Sequence, residues 1–156
     1  MKKAIFAISF LMIISVSVNA QKNFESQNYT TAAGVKFYPG AITVKHFVDN
    51  KSAVEGLLYF SNYSTRITGL YELHFDIANA PGLKWYVGPG AHIGFYNKKY
   101  DKGTSVGIDG VLGLDYKIKN APLNLSLDWQ PAFEFGNRYG NGFSGSWGGL
   151  AIRYVF

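Results

Sequence analysis

Over most of the second half of the chain, every other residue is apolar. In RITGLYELHFDI, Ile67, Tyr71, Leu73, Phe75 and Ile77 share one face, and Arg66, Thr68, Glu72, His74 and Asp76 share the other. LKWYVGPGAHIGFY sets Leu83, Trp85, Val87, Ala91, Ile93 and Phe95 against Lys84, Tyr86, His92 and Tyr96. SVGIDGVLGLDYKI sets Val106, Ile108, Leu112, Leu114 and Tyr116 against Asp109, Asp115 and Lys117. LNLSLDWQPAFEF sets Leu123, Leu125, Leu127, Trp129, Phe133 and Phe135 against Asn124, Ser126, Asp128, Gln130 and Glu134. The final SWGGLAIRYVF opposes Leu150, Ile152, Tyr154 and Phe156 to Trp147 and Arg153. A two-residue period throws successive side chains to opposite faces, so it predicts β-strands with one apolar and one polar face.

Turn-forming clusters separate these runs: DNKS, NAPG, NKKYDKG, KNAP and NRYGNG. Upstream, TAAGVKF, AITVKHFV and AVEGLLYF predict three shorter strands with a weaker pattern and no fixed pairing. The expected strands are 31–38, 41–48, 53–61, 64–78, 82–96, 104–118, 121–136 and 143–156. Eight is an even number and the smallest for a closed antiparallel bacterial barrel. Counting back from the last strand puts DNKS, NAPG and KNAP at the end that holds both termini, with NKKYDKG and NRYGNG at the other. IANAPGLKW and IKNAPLNLS form a faint internal repeat, consistent with repeated hairpins.

The first twenty residues, MKKAIFAISFLMIISVSVNA, change the setting. Two lysines, an apolar run and the small residues Val18 and Ala20 match a secretory signal peptide with its cleavage site. The run is shorter than the ~20 residues of a spanning helix. The expected organisation is a signal peptide over 1–20, a short segment over 21–30 and one domain over 31–156. The chain has no cysteine, which excludes both a disulfide framework and a lipid-modified N-terminal Cys. Its formal charge of +5 includes Lys2 and Lys3, and the rest is too scattered to argue for nucleic acid. With 17% aromatic residues and 18 glycines, the composition suits many short strands joined by turns.

Alternation alone does not say which face is inside. A soluble carrier barrel would place the apolar face within. Two features argue for the reverse. Gly88, Gly90, Gly94, Gly107, Gly113 and Gly149 lie on the polar face, as a crowded eight-stranded interior requires, because large groups there alternate with small ones. The charges Arg66, Glu72, Asp76, Lys84, Asp109, Asp115, Lys117, Asp128, Glu134 and Arg153 all fall on that same face. Together with Lys36, Lys45 and Glu55 they would form a nearly balanced interior network, because buried charge is tolerated when paired.

The tail Leu150, Ile152, Tyr154 and Phe156 resembles the C-terminal signature of bacterial outer-membrane barrels, and the mature chain resembles the OmpA-type eight-stranded transmembrane domain. The resemblance implies an all-β, eight-stranded antiparallel transmembrane barrel in the outer membrane of a Gram-negative-type cell. It also implies that the barrel-assembly machinery reads the last strand. Trp85, Tyr71, Tyr116, Trp129 and Tyr154 are then candidates for interfacial aromatic girdles.

Little in the sequence points to catalysis. His74, His92 and Asp109, or Ser126 near Asp128, are the residues from which a metal or acid–base site would be built, but they form no motif. The lipid A deacylases carry a His-x-Ser pair, whereas His46, His74 and His92 are followed by Val48, Asp76 and Gly94. GFSGSWG is not a nucleophile elbow, and no phosphate loop, zinc spacing or nucleotide fingerprint occurs. The sequons at Asn28 and Asn62 read as chance. No cofactor is expected, and an enzymatic role is not. Lys98, Lys99, Lys102 and Arg138 lie in the loops far from the termini, positioned to meet lipopolysaccharide phosphates. The expected role is structural, in the envelope. Its rivals are a surface or lipopolysaccharide-binding protein acting through those loops, a lipid-modifying enzyme, and a soluble carrier with the faces exchanged.

Overall fold

The structure, a computed structural model, describes residues 29–61, 64–96, 103–136 and 142–156. The expected signal peptide and the loop residues Lys98, Lys99, Lys102 and Arg138 lie outside the described residues. Those described form eight strands and no helix. The strands are β1 (Thr31–Phe37), β2 (Ala41–Phe47), β3 (Ser52–Phe60), β4 (Ser64–Asp76), β5 (Leu83–Tyr96), β6 (Thr104–Lys117), β7 (Leu123–Gly136) and β8 (Gly142–Val155). Each pairs antiparallel with its sequence neighbour, and β1 pairs with β8 to close a barrel. The alternating runs thus become strands with ends close to those expected.

The weakly patterned first half also acquires a register. Lys36 stands opposite Ala41, and Lys45 directly opposite Glu55. The faint repeat becomes the same turn used twice. Ala80 N–H donates to Ile77 O at 3.2 Å, and Ala121 N–H to Ile118 O at 3.4 Å. Asn79 and Asn120 hold φ of 63° and 61° in these turns, a conformation asparagine tolerates better than most residues. In the turn after β2, the Asp49 carboxylate accepts the N–H groups of Lys51 and Ser52, each at 2.7 Å. Those backbone bonds hold its pKa below the usual carboxylate value.

The faces are unambiguous. Outward-facing Ile108, Leu112 and Leu127 are 59%, 50% and 56% exposed, while inward-facing Lys45, Glu72 and Arg153 are fully buried. The apolar-inside arrangement of a carrier barrel is therefore not the one adopted. Interior glycines make room for neighbours. A Cβ on Gly113 would come within 2.6 Å of the Tyr86 ring, and side chains at Gly90 and Gly107 would collide with Leu70 and His92. On the outside, Phe75, Trp85, Tyr116 and Tyr154 stand near the strand ends at the termini, and Phe60, Phe95, Phe135 and Phe143 near the opposite ends. Tyr71 and Trp129 sit further along their strands, away from either end.

Pro131 marks an irregularity. The β7–β8 register shifts between Gln130 and Ala132, with the extra residue on β8. A bulge is where a sheet accommodates proline, which has no N–H to give the ladder.

Candidate functional site

Among the described residues, the inward face of the barrel gathers ionisable side chains into two ionic clusters, with a packed layer between them that holds one further ion pair. Toward the termini, the Lys45 ammonium lies 2.8 Å from Glu72, and 3.5 Å from both Glu55 and Asp115. Arg153 pairs with Glu55 and donates to Ser126 Oγ at 2.7 Å, Asn124 Oδ1 at 3.1 Å and Thr43 Oγ1 at 3.2 Å. Asn124 donates in turn to Asp115 at 2.9 Å. Tyr29, which precedes β1, donates its hydroxyl to Asp115 at 3.1 Å. Burial and the facing carboxylate raise its pKa well above the usual phenol value, so it remains a donor. His74 contacts Glu72 through Nε2 at 2.9 Å and stacks on Tyr86.

In the middle, Asp128 collects Lys36 and the Tyr86 hydroxyl, each at 2.7 Å, and Gln130 at 3.2 Å. Tyr59 donates to Gln130 at 2.7 Å. Around these lie Ala41, Leu57, Tyr59, Leu70, Tyr86 and Val111, with Trp147 packed against them. Toward the other end, Arg66 pairs with Asp109 and with Glu134, the latter at 3.1 Å. Its guanidinium lies 4.0 Å over the Trp147 ring. His92 meets Asp109 through Nδ1 at 2.8 Å.

Of the charges on the polar face, Arg66, Glu72, Asp109, Asp115, Asp128, Glu134 and Arg153 are brought into these clusters. The other three, Asp76, Lys84 and Lys117, lie at strand ends where the wall stops. The Asp76 side chain is 85% exposed and 3.5 Å from Lys84 at the rim. Lys117 donates to the carbonyls of Ile118 and Ala121, at 3.0 and 2.6 Å, and so caps a turn. In the terminal strand, Leu150, Ile152 and Tyr154 face outward, and Phe156 N–H donates to Thr31 O at 2.9 Å. Tyr29 is the interior residue that periodicity had no means of finding, because it lies before the first strand. Leu57, Leu70 and Val111 were legible only as apolar residues on the wrong face.

Chemically the arrangement neutralises its members. His74 and His92 belong to different clusters, each held by a single carboxylate residue. The second ring nitrogen of each has no hydrogen-bond partner among the described residues, so neither pair continues to a hydroxyl as a nucleophile relay does. Ser126 serves Arg153, not Asp128. Among the described residues no group of three or more His, Cys, Asp or Glu side chains is placed to hold a metal. Comparison with known proteins finds no matching family model, no similar curated protein and no similar solved structure.

Proposed function

We propose that this chain is an integral outer-membrane β-barrel protein, plugged by its interior ion pairs, with a structural role in envelope integrity. One observation carries the reading: burial is inverted relative to a soluble protein. Leu127 and Ile108 stand more than half exposed while Arg153, Lys45 and Glu72 are fully enclosed. In water each exposed apolar side chain forgoes about 25 cal/mol per Å², whereas hydrocarbon accepts such a wall. Over the height where β1 meets β8, ladders between neighbouring strands satisfy backbone groups that lipid cannot. An eight-stranded interior is just filled by side chains, which leaves no diffusion path.

In this reading the barrel-assembly machinery recognises Leu150, Ile152, Tyr154 and Phe156. Outer-membrane lipid and lipopolysaccharide are its lasting partners, the latter through Lys98, Lys99, Lys102 and Arg138. The charged residues brace the wall and do not turn over a substrate. The test is gel migration, heated and unheated, of the separated outer-membrane and soluble fractions, followed by conductance in planar bilayers. A heat-dependent shift in the outer-membrane fraction without steady pore conductance is expected. A soluble protein with no shift would overturn the reading, and stable open-pore currents would remove the plug.

A further inference from the structure

The barrel closes over only part of its height. The pairing of β1 with β8 stops at Phe37 opposite Leu150, where β1 ends. β8, however, starts at Gly142, opposite Glu134 of β7. Residues Gly142 to Gly149 therefore have a strand on one side and, among the described residues, none on the other. The crossing point is Gly149 (φ 144°), where a side chain would collide with the carbonyls of Phe37 and Tyr38. Of this run, the Gly145 carbonyl accepts the Trp129 indole N–H at 2.8 Å. The run GFSGSWG carries no charge and no proline, the usual devices that keep a free edge from pairing.

We propose that this edge receives an extended polypeptide segment of a partner protein by strand addition, with a Lys or Arg at an inward-facing position. An open edge displays donors and acceptors in alternation, and another main chain matches both along its length. Lipid tails match neither, a point that rests on the membrane reading above. Charge selects the incoming side chain. Glu134 lies opposite Gly142, whose missing side chain leaves a way to the carboxylate, and Glu134 keeps 23% of its side chain exposed. In that cluster Asp109 and Glu134 share Arg66 as their one arginine or lysine among the described residues.

The test uses the mature chain refolded in detergent micelles, with amide exchange of residues 142–149 read by NMR. The probe is a short capped peptide of alternating valine and threonine with one central lysine. Controls carry glutamate in its place or N-methyl groups on alternate amides. The amides of this run that point away from β7, its edge amides, should exchange freely in the protein alone and slow about tenfold with the lysine peptide near saturation, while those bonded to β7 stay protected throughout. The N-methylated control should have no effect. The Glu134→Gln variant should lose the preference for lysine over glutamate while keeping heat-dependent migration. Edge amides already protected in the free protein, or unmoved by the lysine peptide at millimolar concentration, would overturn the proposal. Either result in a chain that still migrates as a closed barrel defeats the strand addition alone. A chain that never shows the heat-dependent shift defeats the membrane reading instead.

Discussion

Replacing Arg153 by methionine is the sharpest probe of the interior. Arg153 is fully buried, and it is the partner of Glu55 as well as the donor to Thr43, Asn124 and Ser126. Methionine fills much of its volume but leaves Glu55 with the Thr43 hydroxyl and, as its paired cation, Lys45 at 3.5 Å. Removing one member of a buried pair costs about 3–5 kcal/mol. The three neutral acceptors lose their donor within that same figure, because contacts in one network do not add. The Arg153→Met/Glu55→Gln double variant removes both charges and should return to within about 1 kcal/mol of wild type, because a desolvated pair contributes little net stability. The assay is urea unfolding of the protein folded into phospholipid vesicles, followed by tryptophan fluorescence and gel migration. At an m-value of about 1–3 kcal/mol/M, the single variant should lose between one and several molar in midpoint. A single variant within about 1 kcal/mol of wild type, or a double no better than the single, would refute the account of a paired, desolvated interior.

Three further outcomes are expected. Leu112→Arg, on the outer wall, should cost about 2–4 kcal/mol in vesicles; a wild-type unfolding midpoint there would contradict a lipid-facing position. Gly113→Val should overpack against Tyr86 and cost about 1–3 kcal/mol, with Tyr86→Leu in the same chain recovering part of it; the same urea titration checks both. Asp49→Ala should lower the unfolding midpoint at neutral pH. Because the folded carboxyl titrates below its unfolded value, its contribution is present above the unfolded pKa and fades as pH falls through the folded one. A deficit independent of pH would show that ionisation of Asp49 does not strengthen these backbone bonds.

Much of this architecture was legible in the sequence because a barrel wall faces two different environments. Where one side is apolar throughout, as in β6 and β7, the alternation fixes strand, face and approximate ends together. Periodicity was less informative where the interior is itself apolar. Leu70 follows Gly69 and breaks the pattern of β4, yet it fills the middle of the barrel beside Leu57 and Val111. Nor does a face assignment carry height. Asp76 and Lys117 share parity with Glu72 and Asp115, but they stand at the rim, where the wall no longer encloses them. The pairing partners themselves, such as Arg153 with Glu55, depend on strands far apart in sequence, and no local signal specifies them.

Those interior contacts join strands that are not neighbours. Lys45 on β2 reaches Asp115 on β6, Tyr59 on β3 reaches Gln130 on β7, and Arg153 on β8 reaches Glu55 on β3. Four steps around a ring of eight is a diameter, so two of these three are struts across the full cross-section. A sheet closed only by its ladders can flatten into an oval when squeezed, because hydrogen bonds between adjacent strands tolerate a change of curvature. A ring with crossed struts cannot flatten without stretching one of them. The polar interior thus sets the roundness of the wall, and lateral pressure from the surroundings is borne by side chains at the centre as well as by the rim.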